Sequence, residues 1–162
     1  MALTNVHRLI NQNFVKIFRG IKFCFSHESR SLKIGDTEQL SRVFTRKDVE
    51  MFAHLSGDTN PVHLDDCWAE KSRLGKRVVH GALLNGLISA VMGTKLPGFG
   101  CVVVKQTLEF PNPLYIDEEV TASVTLKSLR KALVVCDYSC ITNDGKVVLR
   151  GEAKLVLPHN ES

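Results

Sequence analysis

The run VVHGALLNGLISAVMGTKLPG, residues 78–98, constrains the fold more than any other stretch of the chain. Wound as a helix it is apolar on nearly all sides, and it is closed by Gly93 and by Pro97-Gly98. A helix that is hydrophobic all round predicts burial. It does not predict a bilayer span, which needs about 20 apolar residues. Its most apolar part, Ala82–Met92, is interrupted by Asn85, Gly86 and Ser89. After it the hydrophobic period changes to two. CVVVKQTLEF, EVTASVTLKSL, ALVVCDYSCIT and KVVLRGEAKLVL read as successive strands, and Asn143-Asp144-Gly145 predicts a tight hairpin between the last two. Upstream, TEQLSRVF (37–44) reads as a weakly alternating edge strand. Thr45 with Asp48 gives a capping-box-like start to a short helix with Val49, Phe52 and Ala53 on one face. A further short helix is expected over Asp65–Ser72. One strand, a buried helix and a meander of antiparallel strands amount to an α+β fold, with the sheet wrapped round the helix.

At 162 residues the chain fits one domain with a real core. Its net charge of +4 suggests nucleic-acid binding until it is located. Arg8, Lys16, Arg19, Lys22, Arg30 and Lys33 stand against the single acid Glu28 in residues 1–35, so the remainder is slightly acidic. A phosphate-tracking surface on the folded part is therefore not expected. On a helical wheel Arg8, Lys16 and Arg19 share an arc of about 80°, opposite Ile10, Phe14, Ile17 and Phe18. A basic, amphipathic, acid-poor leader is the pattern of a mitochondrial transit peptide, with a basic surface helix or arm as the alternative. The expected division is a leader over 1–31, a folded domain over 32–158 and a tail over 159–162. Five cysteines, Cys24, Cys67, Cys101, Cys136 and Cys140, contain no C-x-x-C pair and read as free thiols, the last two on one strand face.

The stretch HLSGDTNPVHLDD, residues 54–66, concentrates proton-moving side chains. Asp58 and His63 are five apart, which does not pair them on a helix, but Gly57 and Pro61 permit a curled loop that brings them together. On spacing alone a polar turn and an acid–base pair are both open. His54, Asp58, His63, Asp65 and Asp66 include metal-ligand types, but no common ligand spacing is present and no metal or other cofactor is expected. No G-x-S-x-G elbow and no Gly-rich phosphate loop occurs. At the start of the buried helix, His80-Gly81 puts a glycine N–H where no intrahelical acceptor exists and where negative charge is favoured. From Gly81, Asn85 lies at about 40° and Ser89 at about 80°, a narrow polar stripe that reads either as a pocket wall or as local hydrogen bonding.

FAHLSGDTNPVHLD (52–65) resembles the signature of the hydratase 2, or MaoC-like, family of (R)-specific enoyl-thioester hydratases and 3-hydroxyacyl-thioester dehydratases. VVHGALLNGLISAVMGTKLPGFG (78–100) and LEFPNPLYIDEEVTASVTL (108–126) resemble later blocks of that domain in the same order, so the similarity spans roughly residues 35–157. The resemblance implies a hot-dog fold, usually paired as a dimer. It implies Asp58 and His63 as the acid–base pair, Gly81 as the backbone donor to the thioester carbonyl, Asn60 as a loop-shaping residue and Ser89 as a helix serine near the aspartate. Asn85 stands where the family often has a small apolar residue and is expected to narrow or polarise the acyl tunnel. Phe52 stands where the family often has Tyr. With the leader, the implied activity is dehydration of a (3R)-3-hydroxyacyl thioester to the trans-2-enoyl thioester, on acyl carrier protein in mitochondrial fatty-acid synthesis. Two alternatives stand beside it: an (R)-specific enoyl-CoA hydratase of fatty-acid oxidation, and a non-catalytic acyl-binding hot-dog subunit.

Overall fold

A computed structural model describes residues 31–158. The basic leader read as a transit peptide, Cys24 within it, and the tail at 159–162 lie outside the described residues. The elements run β1 (Thr37–Val43), α1 (Arg46–Ser56), α2 (Pro61–Leu64), α3 (Asp66–Lys71), α4 (Gly81–Thr94), β2 (Val102–Glu109), β3 (Glu119–Arg130), β4 (Leu133–Thr142) and β5 (Val147–Val156). The strands form one antiparallel sheet in the order β1-β3-β4-β5-β2.

The sheet curls round α4, which packs on β1, β3, β4 and β5. Leu84, Leu87, Ile88, Val91 and Met92 are the buried face of the helix. They meet the inward residues of β3 (Val120, Ala122, Val124, Leu126) and of β4 (Val134, Cys136, Tyr138, Cys140), every second position as the pleat requires. Each large side chain so buried contributes roughly 1.5–3 kcal/mol of transfer free energy. This is the α+β arrangement expected from the sequence. Cys136 and Cys140 are free and buried, and burial pushes both thiols up to about 12. On the outer face Lys127 Nζ bridges Asp137 (3.1 Å) and Glu152 (3.0 Å). Among the described residues, no helix is long and apolar enough to cross a membrane.

The local signals are realised atom by atom at several points. Thr45 Oγ1 accepts from Asp48 N at 3.3 Å while Asp48 Oδ2 accepts from Thr45 N at 2.9 Å, which completes the capping box. Asn143-Asp144-Gly145 turns β4 into β5, with Gly145 at φ 83°. The central helix is shorter than its apolar run. Val78 forms a β-bridge with Tyr115, Val79 N donates to Leu114 O at 2.8 Å, and α4 starts only at Gly81. Gly151 in β5 has a specific task. A Cβ there would lie 1.9 Å from the Thr107 carbonyl oxygen. The missing side chain lets the Tyr138 hydroxyl of β4 pass β5 and donate to Thr107 O of β2 at 2.5 Å.

β2 departs from expectation. Its sequence reads as a half-buried strand, yet almost every residue is exposed, including Val102, Val103, Val104 and Leu108, with Phe110 just beyond. An apolar edge strand left open in this way is a surface that pairs or is covered.

Candidate active site at the N-terminus of the central helix

Helix α1 ends at Gly57, whose φ of 79° is the left-handed geometry of a helix C-cap and whose N–H returns to Ala53 O at 2.9 Å. The chain then curls through short local bonds. Asp58 N donates to Ser56 Oγ (3.2 Å), Asn60 N to Asp58 Oδ1 (3.2 Å), and Val62 N to Asn60 Oδ1 (3.4 Å). Asn60 is thus the N-cap of the one-turn helix α2, with Pro61 in its first position. That turn swings His63 back toward Asp58, and His63 Nε2 stands 3.9 Å from Asp58 Oδ2. The five-residue spacing that no helix pairs is closed by the loop. Asp58 is half-exposed and His63 nearly enclosed.

The His63 ring is held from outside the loop. Its Nδ1–H donates to Val78 O at 2.8 Å, which fixes the ring orientation and turns Nε2 toward Asp58. Val78 N donates to Val62 O (3.1 Å) and Arg77 Nε to His63 O (2.7 Å), so segment 77–78 is laced to segment 62–63. The buried Arg77 guanidinium has Asp66 at 3.7 Å and Glu50 at 3.8 Å, and its two terminal nitrogens have no hydrogen-bond partner. Asp66, itself exposed, faces this cation and also bonds Arg46 at 2.9 Å. Asp65 caps α3 through Trp68 N (3.0 Å).

His80 is the site residue that sequence reasoning did not select. It is 1% exposed. Its Nε2–H donates to the Asp58 carbonyl at 3.1 Å, and its ring stacks on His63 with centroids 3.8 Å apart. Phe52 meets it edge-on at 4.9 Å. Its Nδ1 is buried with no partner, and burial holds the imidazole below its ordinary 6.5. The signal available in the sequence was only its adjacency to Gly81.

Gly81 opens α4, so its N–H has no acceptor within the helix. A Cβ on it would stand 2.8 Å from the Phe110 ring, so glycine also admits that ring. Asn85 is spent on a reciprocal amide pair with Gln106 of β2, at 3.3 and 2.8 Å. Ser89 is exposed on α4, about 12 Å along the axis from Gly81 by the helical rise. Asp58, His63 and Gly81 therefore come together, whereas Asn85 and Ser89 lie further along the helix.

Asp58, His63 and His80 place one ligand-type atom each within 4.8 Å of one another. On distance alone this is a three-ligand group, and it differs from the one considered in the sequence by including His80. Its hydrogen bonds suit proton transfer better. His63 Nδ1 and His80 Nε2 are committed to carbonyl oxygens, and Nδ1 of His80 is sealed from solvent. Beside the site an apolar groove of about 830 Å³ lies between β1, α1 and α4, lined by Leu40, Met51, Phe52, Leu55, Leu83 and Gly86 among others.

Comparison with known proteins gives a consistent result. Residues 32–137 match the family described as the MaoC like domain. The (R)-specific enoyl-CoA hydratase of Rhodospirillum rubrum is 40% identical over 134 residues, covering 82% of this chain and 92% of that protein. The mitochondrial 3-hydroxyacyl-[acyl-carrier-protein] dehydratase of Arabidopsis thaliana is 35% identical over 133 residues, covering 79% of each. The solved (R)-hydratase of Aeromonas caviae superposes with a TM-score of 0.77 at 37% identity, covering 80% of this chain and 99% of that one.

Proposed function

The chain belongs to the MaoC-like domain family of hydratases and dehydratases, and on that premise we propose that it removes water from a (3R)-3-hydroxyacyl thioester carried on acyl carrier protein. The observation that carries the reading is the pairing of His63 Nε2 with Asp58 Oδ2 at 3.9 Å, beside the free N–H end of α4. Dehydration takes a proton from C2, protonates the hydroxyl that leaves C3 as water, and forms the C2–C3 double bond. Asp58 and His63 share these two transfers, each worth typically 10²–10⁴-fold. Negative charge that develops on the thioester oxygen meets the Gly81 N–H, an oxyanion donor reinforced by the helix dipole. The bond from His63 Nδ1 to Val78 O leaves Nε2 as the nitrogen that exchanges the proton, and the same parts run hydration in reverse. The apolar groove beside Phe52 gives the acyl chain a place to lie.

The exposed face of β2 supports a homodimer in which two such strands meet, with Phe110 and the Gly81 end of α4 close to the contact. The Arabidopsis and tomato relatives are named as mitochondrial, and together with the basic leader they support a mitochondrial matrix location. A second reading, an (R)-specific enoyl-CoA hydratase, is favoured by the higher identity to the Rhodospirillum hydratase.

The test is kinetic. Purified chain is given crotonyl-CoA and the matching acyl-carrier-protein thioester, and kcat/KM is compared between carriers. A preference for the carrier protein supports the dehydratase reading, with a role in fatty-acid synthesis, and a preference for CoA the second reading. No turnover on either substrate rejects both and favours a binding subunit.

A further inference from the structure

We infer that His80 is a positioning residue that ties Asp58 and His63 into one rigid unit, an inference that rests on the hydro-lyase reading above. The loop at 57–60 is shaped by its own short bonds, to Ala53, Ser56, Gly57 and Asp58, none of which attaches it to the central helix. His80 supplies that attachment. Its Nε2–H holds the Asp58 carbonyl while its backbone leads directly into Gly81, so one dipeptide sets the height of the carboxylate and of the oxyanion donor together. The ring face fills the other side of the His63 ring, which the Val78 carbonyl fixes only at Nδ1. His63 thus has an edge held by a hydrogen bond and a face held by a stack.

The chemistry of the slot distinguishes this role from simple packing. A phenylalanine would fill it without an orphaned acceptor, whereas the imidazole leaves Nδ1 buried and unpartnered, an unfavourable arrangement. What the imidazole adds is the donor to Asp58. Burial also favours its neutral form. The ionisable groups that bear on it are His63, from α2, and Asp58, from the loop; Phe52, from α1, is uncharged. When His63 takes up a proton during turnover, a neutral stacked ring offers its π face to the imidazolium without adding a second cation.

Two variants of the full chain separate the contributions. His80→Phe keeps a ring in the stack and removes the donor; His80→Gln keeps a donor near the Nε2 position and removes the ring. In crotonyl-CoA hydration from about pH 5 to pH 9, His80→Phe is expected to lower kcat by roughly 10- to 100-fold with KM nearly unchanged and no loss of melting temperature. His80→Gln is expected to recover part of that loss, and both are expected to keep the ionisations of the wild-type kcat profile. A His80→Phe enzyme within about twofold of wild type, or a His80→Gln enzyme no better than His80→Phe, overturns the inference. Disappearance of one ionisation assigns His80 a proton-transfer role instead. Imidazole ¹⁵N NMR of the wild-type chain reads the same contacts without turnover or variants. A neutral His80 with its proton on Nε2 is expected, and a proton on Nδ1 rules the inference out. A wild-type chain inert on both thioesters defeats the functional reading alone, since the NMR result still decides the role of His80.

Discussion

The two ends of the environment of α4 are built on opposite principles. Along its sheet-facing flank, Leu84, Ile88, Val91 and Met92 meet Val, Ala, Leu and Cys side chains that ask nothing of their neighbours but shape. At its N-terminus, His80 and Arg77 are buried and His63 is nearly enclosed, and each is held by a main-chain carbonyl. The flank is free of polar debts. The N-terminal end retains a His80 nitrogen and two guanidinium nitrogens without hydrogen-bond partners. One helix therefore carries stability on its side and, on the function proposed above, the reacting groups at its tip, and substitutions are expected to separate the two.

The largest effect belongs to the tip. Asp58→Asn and His63→Ala are each expected to lower kcat for thioester hydration by at least 10²–10⁴-fold, with the thermal midpoint within a few degrees of wild type. Near wild-type turnover in both variants would erase the distinction drawn here. On the flank, Ile88→Ala is expected to cost about 2–5 kcal/mol in urea unfolding, while activity per folded molecule is retained. Gly86 lies between the two regimes. A Cβ there meets nothing within 4 Å, and Gly86 lines the groove, so Gly86→Leu is expected to leave four-carbon substrates active and to exclude longer chains. Its stability is expected to rise by up to about 1 kcal/mol from helix propensity. An unchanged chain-length profile in that variant would remove the groove from the acyl path. The smallest effect is a pH slope. Burial holds His80 below 6.5, so below that pH the unfolded chain binds more protons than the folded one, and stability falls as the pH falls. Urea midpoints at about pH 7 and pH 5 should differ less in His80→Phe than in wild type.

The flank was more legible in the sequence than the tip, for a physical reason. All-round hydrophobicity in residues 78–98, the Thr45–Asp48 box and the Asn143-Asp144-Gly145 hairpin are local patterns, and each maps to one element. The tip depends on bonds between segments. The link from His63 to Val78 O spans 15 residues and that from His80 to Asp58 O spans 22, and no periodicity encodes either. The sequence offered Asp58 and His63 as a pair only if the loop curled, and the bonds through Asn60 are what curl it. His80 looked like part of an apolar run because its backbone sits one residue before the helix begins. β2 misled in the opposite direction. Its valines read as one face of a strand, and in the single chain that face is exposed; on the homodimer proposed above, the pattern reports burial in the pair.

The bare backbone of Gly151 bears on how that edge behaves in time. Most edge strands fray independently, because they are tied only to the strand next door. Here the Tyr138 hydroxyl reaches over β5 to the Thr107 carbonyl, so releasing the middle of β2 also requires freeing a side chain rooted in β4. Amide hydrogens of β2 that pair with β5 should therefore exchange with solvent on the timescale of the sheet interior, through its larger opening events. A side chain at position 151 would turn that edge into a separately melting unit.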